Sequence, residues 1–166
     1  LTERAAELQA ANLRLDRRAE ALTTTAEIAY DVTSVLNAQE LLDRLVGLIS
    51  ERFGFYYTGV FLVDSTLQWA VLQAAVGEIG QRMLSRGYRV SIGGETGSEQ
   101  SLVREVFTQI AHSTQLIDER DAVDSGWPDT RAELALPLRV QGTVIGVLNV
   151  HRRVAEPFDA EDVAVL

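Results

Sequence analysis

The sequence predicts an α+β fold, a sheet built from hairpins with helices on its faces, preceded by a long helical segment. Three observations predict it. Arg131 to His151, RAELALPLRVQGTVIGVLNVH, reads as two strands buried on both faces and joined by a minimal Gln141-Gly142 turn. Between residues 54 and 130, alternating strand-like runs change places with short helical stripes. Leu1, Leu8, Leu15 and Leu22 recur every seven residues, with Ala5, Asn12, Ala19 and Ala26 four residues after each.

That heptad places Leu at d and small or polar residues at a, which predicts a coiled-coil helix over residues 1–36. A polar Asn12 at an a position fixes register and favours a parallel dimer at some cost in stability. The alternative is a solitary amphipathic helix packed on its own domain. After Ala26 the stripe rotates to Ile28, Val32 and Val35, a slip that changes supercoil winding locally. Asn37-Ala38-Gln39-Glu40 resembles a capping box, with Leu36 and Leu41 as its staple, so a second helix is expected to start there and to end at Gly54. The second segment is accordingly 37–166.

Tyr56–Val63 and Trp69–Val76 read as a hairpin around Asp64-Ser65-Thr66. Glu78–Arg86 reads as a short helix with Ile79 and Met83 inward, and Tyr88–Ile92 as a third strand. Gly93-Gly94-Glu95-Thr96-Gly97 is a loop before a helix that uses Leu102, Val103, Val106 and Phe107, and Thr96 with Glu99 can cap that helix. Ile110–Thr114 is a weak fourth strand, and residues 118–133 form an acidic connection. The terminal hairpin follows, and Asp159, Asp162, Phe158 and Val163 start a last helix with a cap and a staple. The chain does not begin with Met and ends soon after that start, which suggests a piece of a longer protein with a truncated last helix.

Charge and composition narrow the function. The net charge is −9 and all fifteen basic residues are Arg, with no basic cluster interleaved with aromatics, so nucleic-acid phosphates are not the expected partner. No apolar run approaches the ~20 residues of a membrane span, and no signal peptide is visible, so the expected compartment is the cytoplasm. The chain has no cysteine, which excludes disulfides, thiolate metal ligands and cysteine nucleophiles.

The blocks GFYYTGVFLVD (54–64), WAVLQAAVGEIGQRML (69–84), VSIGGETG (90–97) and TRAELALPLRVQGTVIGVLNV (130–150) resemble the GAF domain, a ligand-sensing module of bacterial signalling proteins. The resemblance runs from about Leu41 to the C-terminus. It implies a six-stranded antiparallel sheet with the first and last helices on one face and a pocket on the other, roofed by short helices and loops. It also implies that the entering helix relays signal, in a dimer, to an output domain of the same polypeptide, often a histidine kinase of a two-component system or a cyclic-dinucleotide enzyme. Several family chemistries lack their residues here. Bilin-binding members and those that reduce methionine sulfoxide use cysteine. Cyclic-nucleotide-binding members carry an Asn-Lys…Phe…Asp-Glu pattern, and Asp118-Glu119 lacks the Lys and the spaced Phe. Arg104 stands where relatives usually have a small residue, which predicts an altered or partly filled pocket.

The candidate ligand contacts are therefore Trp127, Arg131, His112, Arg89, Glu95 and Arg104. Trp127 sits in a loop over the sheet and offers area with a polar handle. His112 is a haem ligand only if a second ligand joins it, and a structural role is the simpler reading. His151, before Arg152-Arg153, reads as a surface residue, and Glu133 and Asn149 are the polar positions through which the terminal hairpin can contribute to a site. Trp69 reads as core or rim. The acids at 118, 121 and 124 lack calcium-loop spacing, and the glycines at 93–97 lack P-loop spacing, so a solvated loop and a flexible loop are the better readings. An anionic ligand needs Arg89, Arg104 or Arg131 turned inward.

The sequence thus points to a non-catalytic sensor of a small molecule that dimerises through Leu1, Leu8, Asn12, Leu15 and Leu22, with no metal and no assigned cofactor. The alternative is a ligand-free GAF domain serving as a dimerisation spacer. A small enzyme is a third reading, for which no constellation meets the geometric minimum. A PAS domain would place its long helix differently relative to the hairpins.

Overall fold

The computed structural model describes residues 2–93, 101–109 and 111–166; among the first 33 residues it describes the side chains of Asn12, Arg14, Leu15, Asp16, Ala19, Glu20, Leu22 and Thr23. The chain divides into two compact units, Leu1–Glu40 and Leu41–Leu166. Helix α1 spans Thr2–Phe53, 52 residues without interruption. The restart expected at Asn37 is therefore absent. Asn-Ala-Gln-Glu carries neither Gly nor Pro, and an interior Asn costs only about 0.7 kcal/mol against Ala, too little to stop a helix propagating on both sides. Gly54, at φ 70°, ends it in a left-handed conformation.

In the second unit, six strands form one sheet: β1 (Tyr57–Val63), β2 (Trp69–Val76), β3 (Arg89–Ser91), β4 (Ser113–Leu116), β5 (Ala132–Val140) and β6 (Thr143–Arg152). Their order is β3-β2-β1-β6-β5-β4 and every pairing is antiparallel. The β5–β6 turn has Gln141 at φ 49° and Gly142 at φ 83°, the primed geometry that matches strand twist. Helices α2 (Glu78–Ser85), α3 (Leu102–Gln109), α4 (Glu119–Asp124) and α5 (Ala160–Val165) complete the unit. Two expectations change. The fourth strand begins at Ser113 rather than Ile110, since its partners on β5 start at Ala135. The acidic connection is not all loop: Asp118 caps α4 by accepting from the Asp121 N–H at 2.9 Å.

The period of two along each strand sorts the side chains onto two faces. Val60, Leu134, Leu136, Leu148 and Val150 point to one face, where Leu42, Val46 and Ile49 of α1 and Val163 of α5 cover them. Phe158 joins this core, and the cap box of α5 closes between Asp159 and Asp162. Tyr57, Phe61, Ala135 and Val147 point to the other face, beneath Leu102, Val103 and Val106 of α3 and Met83 and Leu84 of α2. This second face also carries polar groups, and they define the site.

Candidate functional site: a buried polar row under Trp127

Strand register places four side chains in one row across the sheet. Tyr57 of β1 lies opposite His151 of β6, His151 opposite Glu133 of β5, and Glu133 opposite Gln115 of β4. Asn149, two residues from His151 on β6, shares the face. Tyr57 is 1% exposed, His151 2% and Asn149 3%, so this end of the row is interior, while Gln115 at the β4 edge is exposed. His151 is thus not the surface residue its neighbours Arg152 and Arg153 suggested. The alternation Val147, Asn149, His151 turns it inward, whereas Arg152 faces the α5 side, stacked on Phe158 at 3.7 Å and paired with Asp162 at 3.3 Å.

From His151 through Asn149 and Glu133 to Gln115 the side chains are hydrogen-bonded. Asn149 Nδ2 donates to Glu133 Oε1 at 2.8 Å and Gln115 Nε2 donates to Glu133 Oε2 at 2.8 Å. His151 Nε2 lies 3.0 Å from Asn149 Oδ1 and 3.5 Å from Glu133 Oε1. With the amide nitrogen of Asn149 committed to Glu133, its oxygen must accept, so this network assigns the proton to Nε2 of His151. The other ring nitrogen, Nδ1, lies 3.0 Å from Thr130 Oγ1, and Thr130 in turn bonds the Tyr56 hydroxyl. Burial pushes the Glu133 carboxyl up, but the His151 charge and the hydrogen bonds from His151, Asn149 and Gln115 outweigh it and hold its pKa below the usual carboxylate range. Burial also raises both phenols, Tyr56 and Tyr57, so both stay protonated near neutrality.

One polar atom of the row is left over. The Tyr57 hydroxyl is buried and finds no hydrogen-bond partner among the described residues. Such an orphan costs about 1–3 kcal/mol. Two glycines make room for this ring. A Cβ on Gly59 would lie 2.2 Å from the Tyr57 hydroxyl, and one on Gly80 of α2 would lie 3.1 Å from the ring. Around the row, Tyr57, Glu133, Asn149 and His151 meet Phe61, Met83, Tyr88 and Trp127 at a cavity of about 40 Å³. That is space for a water or two.

Trp127 forms its lid. The indole packs 4.3 Å from the His151 ring and 4.7 Å from the Tyr57 ring. Its backbone is fixed on both sides, since its N–H donates to Ala122 O at 2.8 Å and its carbonyl accepts from the Thr130 N–H at 3.0 Å. On its outer side a cleft of about 330 Å³ opens between α2 and residues Ser125–Trp127.

The remaining candidates lie elsewhere. Arg131 donates to the carbonyls of Pro128 and Thr130 and pairs with Glu119 at 3.4 Å, so its guanidinium braces the loop that carries Trp127. Arg89 stacks 4.1 Å over Trp69 at the β2–β3 edge. His112 is exposed just before β4, and Arg104 is half-buried on α3. Leu1, Glu95 and the side chain of Leu8 lie outside the described residues, as do Thr96 and Glu99. Asn12, Leu15 and Leu22 are exposed along α1. Sequence reading named Trp127 and noted Glu133 and Asn149 as polar positions of the hairpin. It missed His151 and Tyr57, although the alternation of β6 and the Tyr57-x-Gly59 step were present to find them.

These features meet in a known family. The GAF domain family matches residues 35–166, and the chain belongs to it. Solved structures of similar fold include the GAF domain of a phosphoenolpyruvate-protein phosphotransferase from Coxiella burnetii (18% identity, 76% of this chain and 73% of that one, TM-score 0.59). Another is the second GAF domain of DevS from Mycobacterium smegmatis (19%, 76% and 82%, 0.56). A third is a free methionine-R-sulfoxide reductase from Thermoplasma acidophilum (18%, 77% and 82%, 0.58). The fold is therefore shared by GAF domains of other proteins and by an enzyme. No curated protein matches the chain. Among the described residues, no helix is long and apolar enough to cross a membrane.

Proposed function

We propose that this chain is the small-molecule sensor of a bacterial, cytoplasmic signalling protein, and that the ligand is read by the row Tyr57–His151–Glu133 beneath Trp127. The observation that carries the reading is a small cavity lined by Tyr57, Glu133, Asn149 and His151 inside an otherwise apolar face, together with the orphaned hydroxyl of Tyr57. A ligand that donates to or accepts from that hydroxyl removes a standing penalty. Since the cavity holds about 40 Å³, anything larger than water requires it to enlarge, and in this reading Trp127 and the arm Ser125–Thr130 move outward to make the room. That displacement is the proposed signal. The site is read as binding rather than catalytic, because Glu133 and His151 are both committed to hydrogen bonds that hold the row together.

In this reading α1 carries the signal as a parallel dimer to an output domain of the same polypeptide. Leu41, Leu45 and Leu48 support it: spaced four and three residues apart, they are 67%, 41% and 62% exposed, while Leu42, Val46 and Ile49 face the sheet. The small cavity favours a second reading, a GAF domain that binds nothing and serves as a dimerisation spacer. Thermal unfolding against a library of small metabolites separates the two. A ligand at a hundred times its Kd stabilises by about 2.7 kcal/mol. The sensor reading expects at least one compound that stabilises the native chain and loses its effect in Asn149→Leu. A library in which no response depends on Asn149 supports the spacer.

A further inference from the structure

We propose a second binding site in the outer cleft, specific for a small amphipathic anion, an aryl or alkyl group carrying one carboxylate or phosphate. The cleft is walled by Ile79, Arg82 and Met83 on one stripe of α2 and by Arg86, the residue that caps its C-terminus, at spacings i, i+3, i+4 and i+7. Opposite stand Gly126 and the outer side of Trp127. Its volume of about 330 Å³ lies within the range of small-molecule sites.

The charge pattern gives the ligand class. Arg82 and Arg86 are the charged residues of this lining, and both are exposed. Among the described residues neither guanidinium is held in an ion pair: the four salt bridges use Arg131, His151, Arg152 and Arg153. In a chain of net charge −9, two arginines one turn apart and outside any ion pair, beside Ile79, Met83 and Trp127, make this cleft locally positive. Guanidinium forks match the planar oxygens of carboxylate and phosphate, and their weak hydration favours anions that bring an apolar body. Met83, Ile79 and the indole supply the surface for that body, Met by adapting its shape and Trp by offering a face. An occupant that stacks on Trp127 also holds the lid over the buried row. This site does not depend on the row taking a ligand.

Isothermal titration tests it with 2-naphthoate and 2-naphthyl phosphate as anionic probes and 2-naphthylmethanol as their neutral counterpart. The expected result is that both anions bind about tenfold or more tightly than the alcohol, a difference of about 1.4 kcal/mol, and the tighter anion identifies the preferred headgroup. Arg82→Gln and Arg86→Gln each weaken the anions severalfold, the double variant abolishes the preference over the alcohol, and thermal unfolding stays unchanged because both side chains are exposed. Glu133→Gln leaves probe binding as it was, which separates this site from the buried row. Equal binding of anion and alcohol, full affinity in the double variant, or no binding of either anion overturns the proposal.

Discussion

Strands β1, β5 and β6 present two faces of opposite character. On one, Val60, Leu134, Leu148 and Val150 are covered by α1 and α5, and the polar exceptions are Arg152 at the α5 end and Thr58, whose buried hydroxyl also finds no partner among the described residues. On the other, the same strands carry Tyr57, Glu133, Asn149 and His151 as a hydrogen-bonded row with one orphan hydroxyl. Both faces are buried, so burial does not separate them. What separates them is the cost of rearrangement: the apolar face resists any change of volume, whereas the polar face holds a small cavity and a lid that rests on it through ring contacts. A sheet of this kind can be rigid on the side that holds its helices and adjustable on the side that meets a ligand.

The comparison is broken most severely on the apolar face. Leu134→Ala, at a fully buried position, is expected to cost about 2–5 kcal/mol in urea unfolding. Gly59→Ala on the polar face places a methyl against the Tyr57 hydroxyl, so the ring must shift, at a cost of up to about 3 kcal/mol. Near-UV circular dichroism of the Tyr57–Trp127 pair should change with it, and should remain native-like in Leu134→Ala. A spectrum unchanged in Gly59→Ala would show that the ring has more freedom than its contacts imply.

The doubly covered hairpin was legible because a β5–β6 run apolar on both faces has few other places to lie, and the Gln141-Gly142 turn admits one geometry. The site was legible only in part. Glu133 and Asn149 stood out as polar residues in apolar strands. His151 was hidden by the two arginines that follow it, since a charged neighbour on a strand says nothing about the opposite face. Arg82 and Arg86 were hidden differently: they flank Met83 on a helix assigned to the core, and only the packing of residues 125–127 against that helix makes their stripe a wall. The unbroken α1 shows the limit of cap signals, which compete with propagation from both sides.

Acid should discriminate the faces further. The folded-state pKa of Glu133 lies below its unfolded value, so its contribution is complete above the unfolded pKa of about 4.3 and is lost as pH falls through the folded value. Glu133→Gln keeps the volume but turns amide hydrogens toward donors, which costs about 1–2 kcal/mol at pH 7. In unfolding followed from pH 7 to pH 3, the gap between the native chain and this variant should narrow. A constant gap would mean that the carboxylate charge contributes nothing to the row. The smallest effect on folding is expected outside both faces. Leu45→Ser, on the exposed stripe of α1, should alter unfolding of the second unit by no more than about 0.5 kcal/mol, while sedimentation shows weaker self-association. Unchanged sedimentation would remove this stripe from the proposed dimer.

Native mass spectrometry after incubation with a small-molecule cell extract tests the sensing role of the polar face most directly. With Arg82→Gln and Arg86→Gln introduced to remove the anion contacts of the outer cleft, the chain is predicted to retain a small-molecule adduct through gentle desolvation, and to lose it when Asn149→Leu is added. No adduct in the Arg82→Gln/Arg86→Gln chain, or an adduct retained equally after Asn149→Leu, would contradict the account and leave the row as scaffold.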